Sequence, residues 1–197
     1  MHLIFLPGAS GAAAFWHPLG ALLPASWRKT YLAWPGLGNE AHDPEIDGFD
    51  DLVALVEKEM RGPTVLVAQS MGGIVAVRLA LRHPELVTHL ILAATSGGVD
   101  VSALGGADWR ASFLENFPDS LSWITTGRPD HTAQIAHIAC PLLLIWGDDD
   151  PISPPHVGVH LAGLLQNPTL RVIAGGTHDV VKARAVDLVA HVVAHLG

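Results

Sequence analysis

The stretch Thr64-Val65-Leu66-Val67-Ala68-Gln69-Ser70-Met71-Gly72-Gly73-Ile74-Val75-Ala76 constrains this chain more than any other. A short apolar run rich in β-branched residues ends at a serine, and a helix-forming pattern begins immediately after it. A strand-to-helix corner this tight crowds the positions two residues to either side of the serine against neighbouring backbone. Those positions hold Ala68 and Gly72, and Gly73 eases the approach of helix to sheet. Such a corner pushes the Ser70 hydroxyl out at the carboxyl end of a strand and aims a helix N-terminus at it. It is a place for a nucleophile.

Further apolar runs read as strands at residues 2–6, 29–33, 90–94, 142–146 and 170–173, with residues 64–68 completing the set. Helical patterns lie around residues 15–23, 49–60, 71–82, 155–165 and 180–196. Strand and helix alternate, and the strands are continuous apolar runs. The expected fold class is therefore α/β: a doubly wound, mainly parallel sheet of about six strands with helices on both faces. A strand order 2-1-3-4-5-6 would set the loops at residues 7–11 and 69–72 across a crevice, where the order reverses. One connection is out of proportion, with more than forty residues between Ala94 and Pro141. It carries Trp109, Phe113, Phe117 and Trp123, so residues 97–138 read as a small helical cap inserted into a single domain spanning 1–197.

Composition narrows the function classes. A net charge of −8 without long acidic runs speaks against nucleic acid or anionic membranes as partners. The lone cysteine, Cys140, allows no internal disulfide and no cysteine metal cluster, and reads as a buried, inert thiol. The first apolar run is cut short by Pro7 and Gly8, so it reads as a strand and not a signal peptide, and no run approaches the roughly 20 residues of a membrane span. A cytoplasmic location follows as the expectation. No G-x-G-x-x-G follows a strand, so no dinucleotide is indicated. His156 with His160, and His191 with His195, have helical i, i+4 spacing but lack the glutamate of a zinc-protease motif. They read as helix-surface histidines, and neither metal nor cofactor is expected. Trp16 and Trp34, beside the glycine-rich loops, are read either as flanks of the crevice or as buried packing.

A serine hydroxyl needs a base within hydrogen-bond reach, the base needs an orienting carboxylate, and the oxyanion formed on attack needs donors. The fifth strand runs into Gly147-Asp148-Asp149-Asp150-Pro151, and the sixth into Gly175-Gly176-Thr177-His178-Asp179. In a parallel sheet both loops share the edge that carries Ser70.

At these residues the chain resembles the α/β-hydrolase superfamily, over nearly its full length. Ala68-Gln69-Ser70-Met71-Gly72 looks like the nucleophile elbow G-x-S-x-G, with alanine for its first glycine. Gly147-Asp148-Asp149-Asp150, with Pro151 and Pro154 after it, looks like the G-x-x-D acid loop, and Gly175-Gly176-Thr177-His178 like the histidine loop. Pro7-Gly8-Ala9 matches the H-G-x oxyanion loop, with Pro7 for histidine. Pro35-Gly36-Leu37-Gly38 resembles the D-x-x-G-x-G segment, with Ala33 where aspartate is usual. The resemblance implies Ser70 as nucleophile, His178 as general base and then acid, and Asp150 as its carboxylate, with Asp149 or Asp148 as fallback. It implies an oxyanion hole built from the backbone N–H groups of Ala9 and Met71. It also implies a fold lacking the family's N-terminal hairpin.

The expected activity is that of a cofactor-free serine hydrolase on a small, partly apolar carboxylic ester, of carboxylesterase, lactonase or thioesterase type. One alternative keeps the same triad for a lyase step or carbon–carbon bond hydrolysis. Another is a ligand-binding protein on the hydrolase fold without turnover, against which an intact Ser-Asp-His set speaks.

Overall fold

The computed structural model describes residues 1–127 and 129–197. Strands β1 (His2–Leu6), β2 (Arg28–Tyr31), β3 (Thr64–Gln69), β4 (Val87–Ala93), β5 (Leu142–Gly147) and β6 (Pro168–Ile173) form one sheet in the order β2-β1-β3-β4-β5-β6. All pairings are parallel, as the apolar runs predict. The register aligns the strands' carboxyl ends, pairing Leu6 with Ala68, Gln69 with Ala93, Ala93 with Ile145, and Gly147 with Ile173. The order reverses between β1 and β3, so the loops after those two strands meet at one edge.

Strand periodicity divides the core in two. Ile4, Leu6, Leu66, Ala68, Leu90, Leu92, Leu142 and Leu144 enter one buried cluster. Their alternates Leu3, Phe5, Val65, Val67, Ile91, Ala93, Leu143 and Ile145 enter the other. Helix α1 (His17–Leu22) lies on the second face. Helices α2 (Phe49–Glu57) and α3 (Met71–Arg82) bury Leu52, Val53, Val56, Val75 and Leu79 on the first. The edge strands β2 and β6 carry Arg28, Lys29 and Arg171, and charge there discourages pairing with another chain.

The connection between β4 and β5 is made of short helical pieces: a 3₁₀ turn (Ser102–Leu104), α4 (Arg110–Asn116), α5 (Trp123–Thr126) and a second 3₁₀ turn (Ile135–His137). It joins the first core through Val99, Phe113, Ile124, Ile135 and Ile138. Trp109 and Phe113 meet edge-to-face at 5.5 Å, and Phe49 of α2 meets Trp123 at 5.3 Å. These aromatics hold the segment to the body of the protein. After β5 come α6 (Pro155–Leu164), α7 (Val180–Ala183) and α8 (Ala185–Leu196).

Several boundaries differ from expectation. β2 ends at Tyr31, before residue 33, because the Trp34 N–H turns to the Gly11 carbonyl at 2.9 Å and leaves β1. β4 and β6 begin earlier than expected, at Val87 and Pro168. The helix expected over residues 180–196 is two, because Arg184 leaves helical geometry (φ −117°, ψ 29°) while its guanidinium donates to the Ala174 carbonyl and to Asp187.

At the opposite end of the sheet, His89 on β4 and His195 on α8 meet edge-to-face at 5.4 Å. Burial lowers the pKa of both imidazoles from the ordinary value of 6.5. Among the described residues, His89 Nδ1 and His195 Nε2 have no hydrogen-bond partner. The folded protein therefore keeps these rings neutral where the unfolded chain binds protons, so stability drops as pH falls below about 6.5 toward the lowered folded values. Melting temperature should decline between about pH 7.5 and about pH 5.5, and more shallowly in His89→Phe, which keeps an aromatic contact without the titration. Identical slopes for the two proteins would remove this pair as a cause.

Candidate active site

β3 runs into α3 through Ser70 alone. Its backbone (φ 52°, ψ −122°) is left-handed, a region a side chain enters only when its surroundings enforce it. Two constraints do so. The Ser70 N–H extends the sheet ladder to the Ala93 carbonyl at 2.9 Å, and the Gly73 N–H returns to the Ser70 carbonyl at 3.0 Å. The first turn of α3 lies so close to the end of β1 that a Cβ on Gly72 would collide with the carbonyl oxygens of Leu6 and Pro7. The glycine that the steric argument requires after the serine is needed for this approach.

The structure brings the expected acid and base to this corner. Ser70 Oγ lies 3.1 Å from His178 Nε2, and His178 Nδ1 lies 2.9 Å from Asp150 Oδ2. A carboxylate only accepts, so Nδ1 carries the ring proton and Nε2 is left to accept from the serine hydroxyl. The Asp150 side chain is 0% exposed. Its other oxygen accepts the N–H groups of Ile152 and Ser153 at 2.9 and 3.0 Å, which fixes its plane. The neighbouring carboxylates are not brought to the histidine. Asp148 accepts from the Gly175 N–H at 2.6 Å and ties the acid loop to the histidine loop, while Asp149 is exposed.

Of the expected oxyanion donors, Met71 lines the cavity in front of Ser70. Ala9 follows Gly8, where a Cβ would sit 3.2 Å from Ser70 Cβ, so this loop abuts the corner. Trp34 is fully buried and donates Nε1 to the Pro7 carbonyl at 2.7 Å, pinning the same loop. Trp16 packs on Phe5 and Phe15 in the core of the other face.

The cavity holds about 740 Å³ between the carboxyl edge and the segment joining β4 to β5. Ser70, Met71 and His178 lie at its floor, and Val99, Trp109 and Ile124 contribute apolar wall. Asp100 and Asp130 line it too. Hydrogen bonds from Ser102 and from Thr132 respectively hold their carboxyls below the usual range, so this part of the wall stays anionic. Arg110, also in the wall, is pinned by Asp108 at 2.9 Å and by the Thr125 carbonyl at 3.1 Å.

The other residues singled out in the sequence lie elsewhere. His156 contacts the Leu104 carbonyl, and His195 packs on His89. Among the described residues no group of three or more His, Cys, Asp or Glu could hold a metal ion. Burial pushes the Cys140 thiol up to about 11, far from a reactive thiolate.

Sequence reasoning passed over two residues. Gln69, 3% exposed, donates Nε2 to the His178 carbonyl at 3.3 Å. Thr95, 2% exposed, donates its hydroxyl to the Ser70 carbonyl at 2.6 Å. The available signal was a polar residue at the carboxyl end of each apolar strand.

The sequence model of the alpha/beta hydrolase family matches residues 3–134. A 2-hydroxy-6-oxononadienedioate/2-hydroxy-6-oxononatrienedioate hydrolase of Burkholderia vietnamiensis is 28% identical over 222 residues, spanning 87% of this chain and 77% of that protein. A pimeloyl-[acyl-carrier protein] methyl ester esterase of Neisseria meningitidis is 26% identical over 203 residues, spanning 79% of this chain and 77% of that protein. The crystal structure of a hydrolase from Pseudomonas aeruginosa superposes with a TM-score of 0.78 at 19% identity, covering 100% of this chain and 89% of the other, a likeness of fold. No helix among the described residues is long and apolar enough to cross a membrane.

Proposed function

This chain belongs to the alpha/beta hydrolase family, enzymes acting on ester or related bonds, and from that premise we propose that it cleaves a small carboxylic ester through an acyl-enzyme on Ser70. The observation that carries the reading is the unbroken line from Asp150 through His178 to Ser70 at the floor of a cavity. Ser70 Oγ attacks the ester carbonyl carbon while His178 Nε2 takes the hydroxyl proton. The charge that forms on the carbonyl oxygen is met by the N–H groups of Met71 and Ala9. As the intermediate collapses, His178 returns the proton to the departing alcohol oxygen. Water then attacks the acyl carbon, giving its proton to the same nitrogen, and the acid leaves as Ser70 regains its hydrogen. Asp150 holds the imidazole in this orientation throughout and steadies the imidazolium. In this reading residues 97–138 act as a cap that shapes the acyl pocket.

The same residues also serve a second reading, carbon–carbon bond hydrolysis or a lyase step. The relative whose name describes an oxo-dienedioate, a ketone and not an ester, favours it. Short aryl esters separate the two. Turnover of these esters, together with fluorophosphonate labelling of the wild type, supports the ester reading. Labelling without ester turnover supports the second. No labelling removes both.

The corner itself can be tested at Ala68, which is fully buried between Leu6 and Leu92. Ala68→Val overpacks the site by about 1–3 kcal/mol and should displace Ser70, abolishing labelling. Ala68→Gly should cost about 0.5–1 kcal/mol of stability and keep labelling. Denaturant midpoints and labelling rates measure both, and full activity in Ala68→Val would refute the crowding argument.

A further inference from the structure

Two non-glycine residues with left-handed backbone sit at the ends of adjacent strands: Ser70 (φ 52°) after β3 and Ala94 (φ 46°) after β4. The turn at Ala94 brings Thr95 back over the corner, where its hydroxyl donates to the Ser70 carbonyl at 2.6 Å. The Thr95 hydroxyl oxygen in turn accepts the Gly97 N–H at 3.0 Å. The next peptide is held as well, because the carbonyl of Gly97 lies 2.9 Å from Nδ1 of buried His131. The Thr95 hydroxyl thus has a fixed direction, and its one proton is committed to Ser70.

The carbonyl it grips belongs to the Ser70–Met71 peptide, whose other end is the Met71 N–H. A peptide is planar and trans, so fixing the carbonyl fixes the direction of that N–H. A hydrogen bond to the carbonyl also polarises the N–H across the amide. We infer that Thr95 is a positioning residue that orients and polarises the Met71 N–H toward the oxyanion of the reacting ester, an inference that rests on the ester-cleavage reading above. Thr95 lines the cavity, but its hydroxyl proton is spent on Ser70, so it moves no proton in the reaction.

The experiment compares Thr95→Val, Thr95→Ser and Thr95→Ala on a short aryl ester, with melting temperatures as a control on folding. Thr95→Val should lower kcat about tenfold with KM within about twofold, the scale of one neutral hydrogen bond lost in the transition state. The affinity of a trifluoromethyl ketone, which forms an oxyanion on Ser70, should weaken by the same factor. Thr95→Ser, which keeps the hydroxyl, should stay within about threefold of wild type on both measures. If Thr95→Val does not fold, the Ser and Ala pair decides. A low Ala beside a near-normal Ser supports the inference. Equal losses in Ser and Ala overturn it and leave the methyl, which packs toward Gly73, as the cause. Unchanged kcat in Thr95→Val also overturns it. A wild type that takes up no fluorophosphonate on Ser70 instead defeats the ester reading itself.

Discussion

With Ser70 replaced by alanine, fluorophosphonate labelling disappears and kcat on a short aryl ester falls by about a million-fold, the scale seen when a serine nucleophile is removed from a coupled triad. In the proposed mechanism the hydroxyl oxygen is the atom that bonds to the acyl carbon, and it lies 3.1 Å from the His178 nitrogen that takes its proton. The fold should hardly notice the change, because alanine carries the same Cβ into the same backbone (φ 52°). Ser70→Gly separates the two demands on this position. Glycine enters left-handed backbone freely, so relief of strain of about 1–3 kcal/mol should raise the melting temperature while activity stays lost. Labelling that persists in Ser70→Ala would put the nucleophile elsewhere.

Asp150→Asn should lower kcat by about ten-thousand-fold with the fold intact. The wild-type carboxylate accepts from the N–H groups of Ile152 and Ser153 on one oxygen and from His178 Nδ1 on the other. An asparagine must keep its carbonyl toward the two backbone donors, which turns its NH₂ toward Nδ1. The imidazole then becomes an acceptor at Nδ1 and carries its proton on Nε2, facing Ser70 Oγ with a donor where an acceptor is required. Asp148→Asn and Asp149→Asn leave that arrangement untouched, and their kcat should stay within about threefold of wild type. A ten-thousand-fold loss in either, or none in Asp150→Asn, would move the orienting carboxylate to another member of the run. Kinetics at one saturating substrate concentration with matched circular dichroism suffices to decide.

The legibility of the candidate site in the sequence was uneven, for a physical reason. Ser70 announces itself because the tight corner restricts residues within two positions of it, and that restriction is local. Asp150 could be placed in its loop but not separated from Asp148 and Asp149 by local argument. What singles it out is burial and the two backbone N–H groups that hold one of its oxygens, against exposure of both neighbours. Thr95 and Gln69 escaped because their partners, Ser70 and His178, lie on other elements. The break at Arg184 was invisible for the same reason, since the carbonyl its guanidinium reaches belongs to Ala174, before the helix.

The sequence by itself determined the order of strands and helices, the parallel sheet, and the corner at Ser70. Hydrophobic periodicity and backbone sterics act over a few residues and can be read along the chain. Only the tertiary structure decided which aspartate meets His178, which way the Ser70–Met71 peptide is held, and that residues of the β4–β5 connection wall a cavity over the serine. Those outcomes depend on strand register and on hydrogen bonds spanning as many as 109 positions in the chain. Such pairings exist only once six strands have aligned their carboxyl ends.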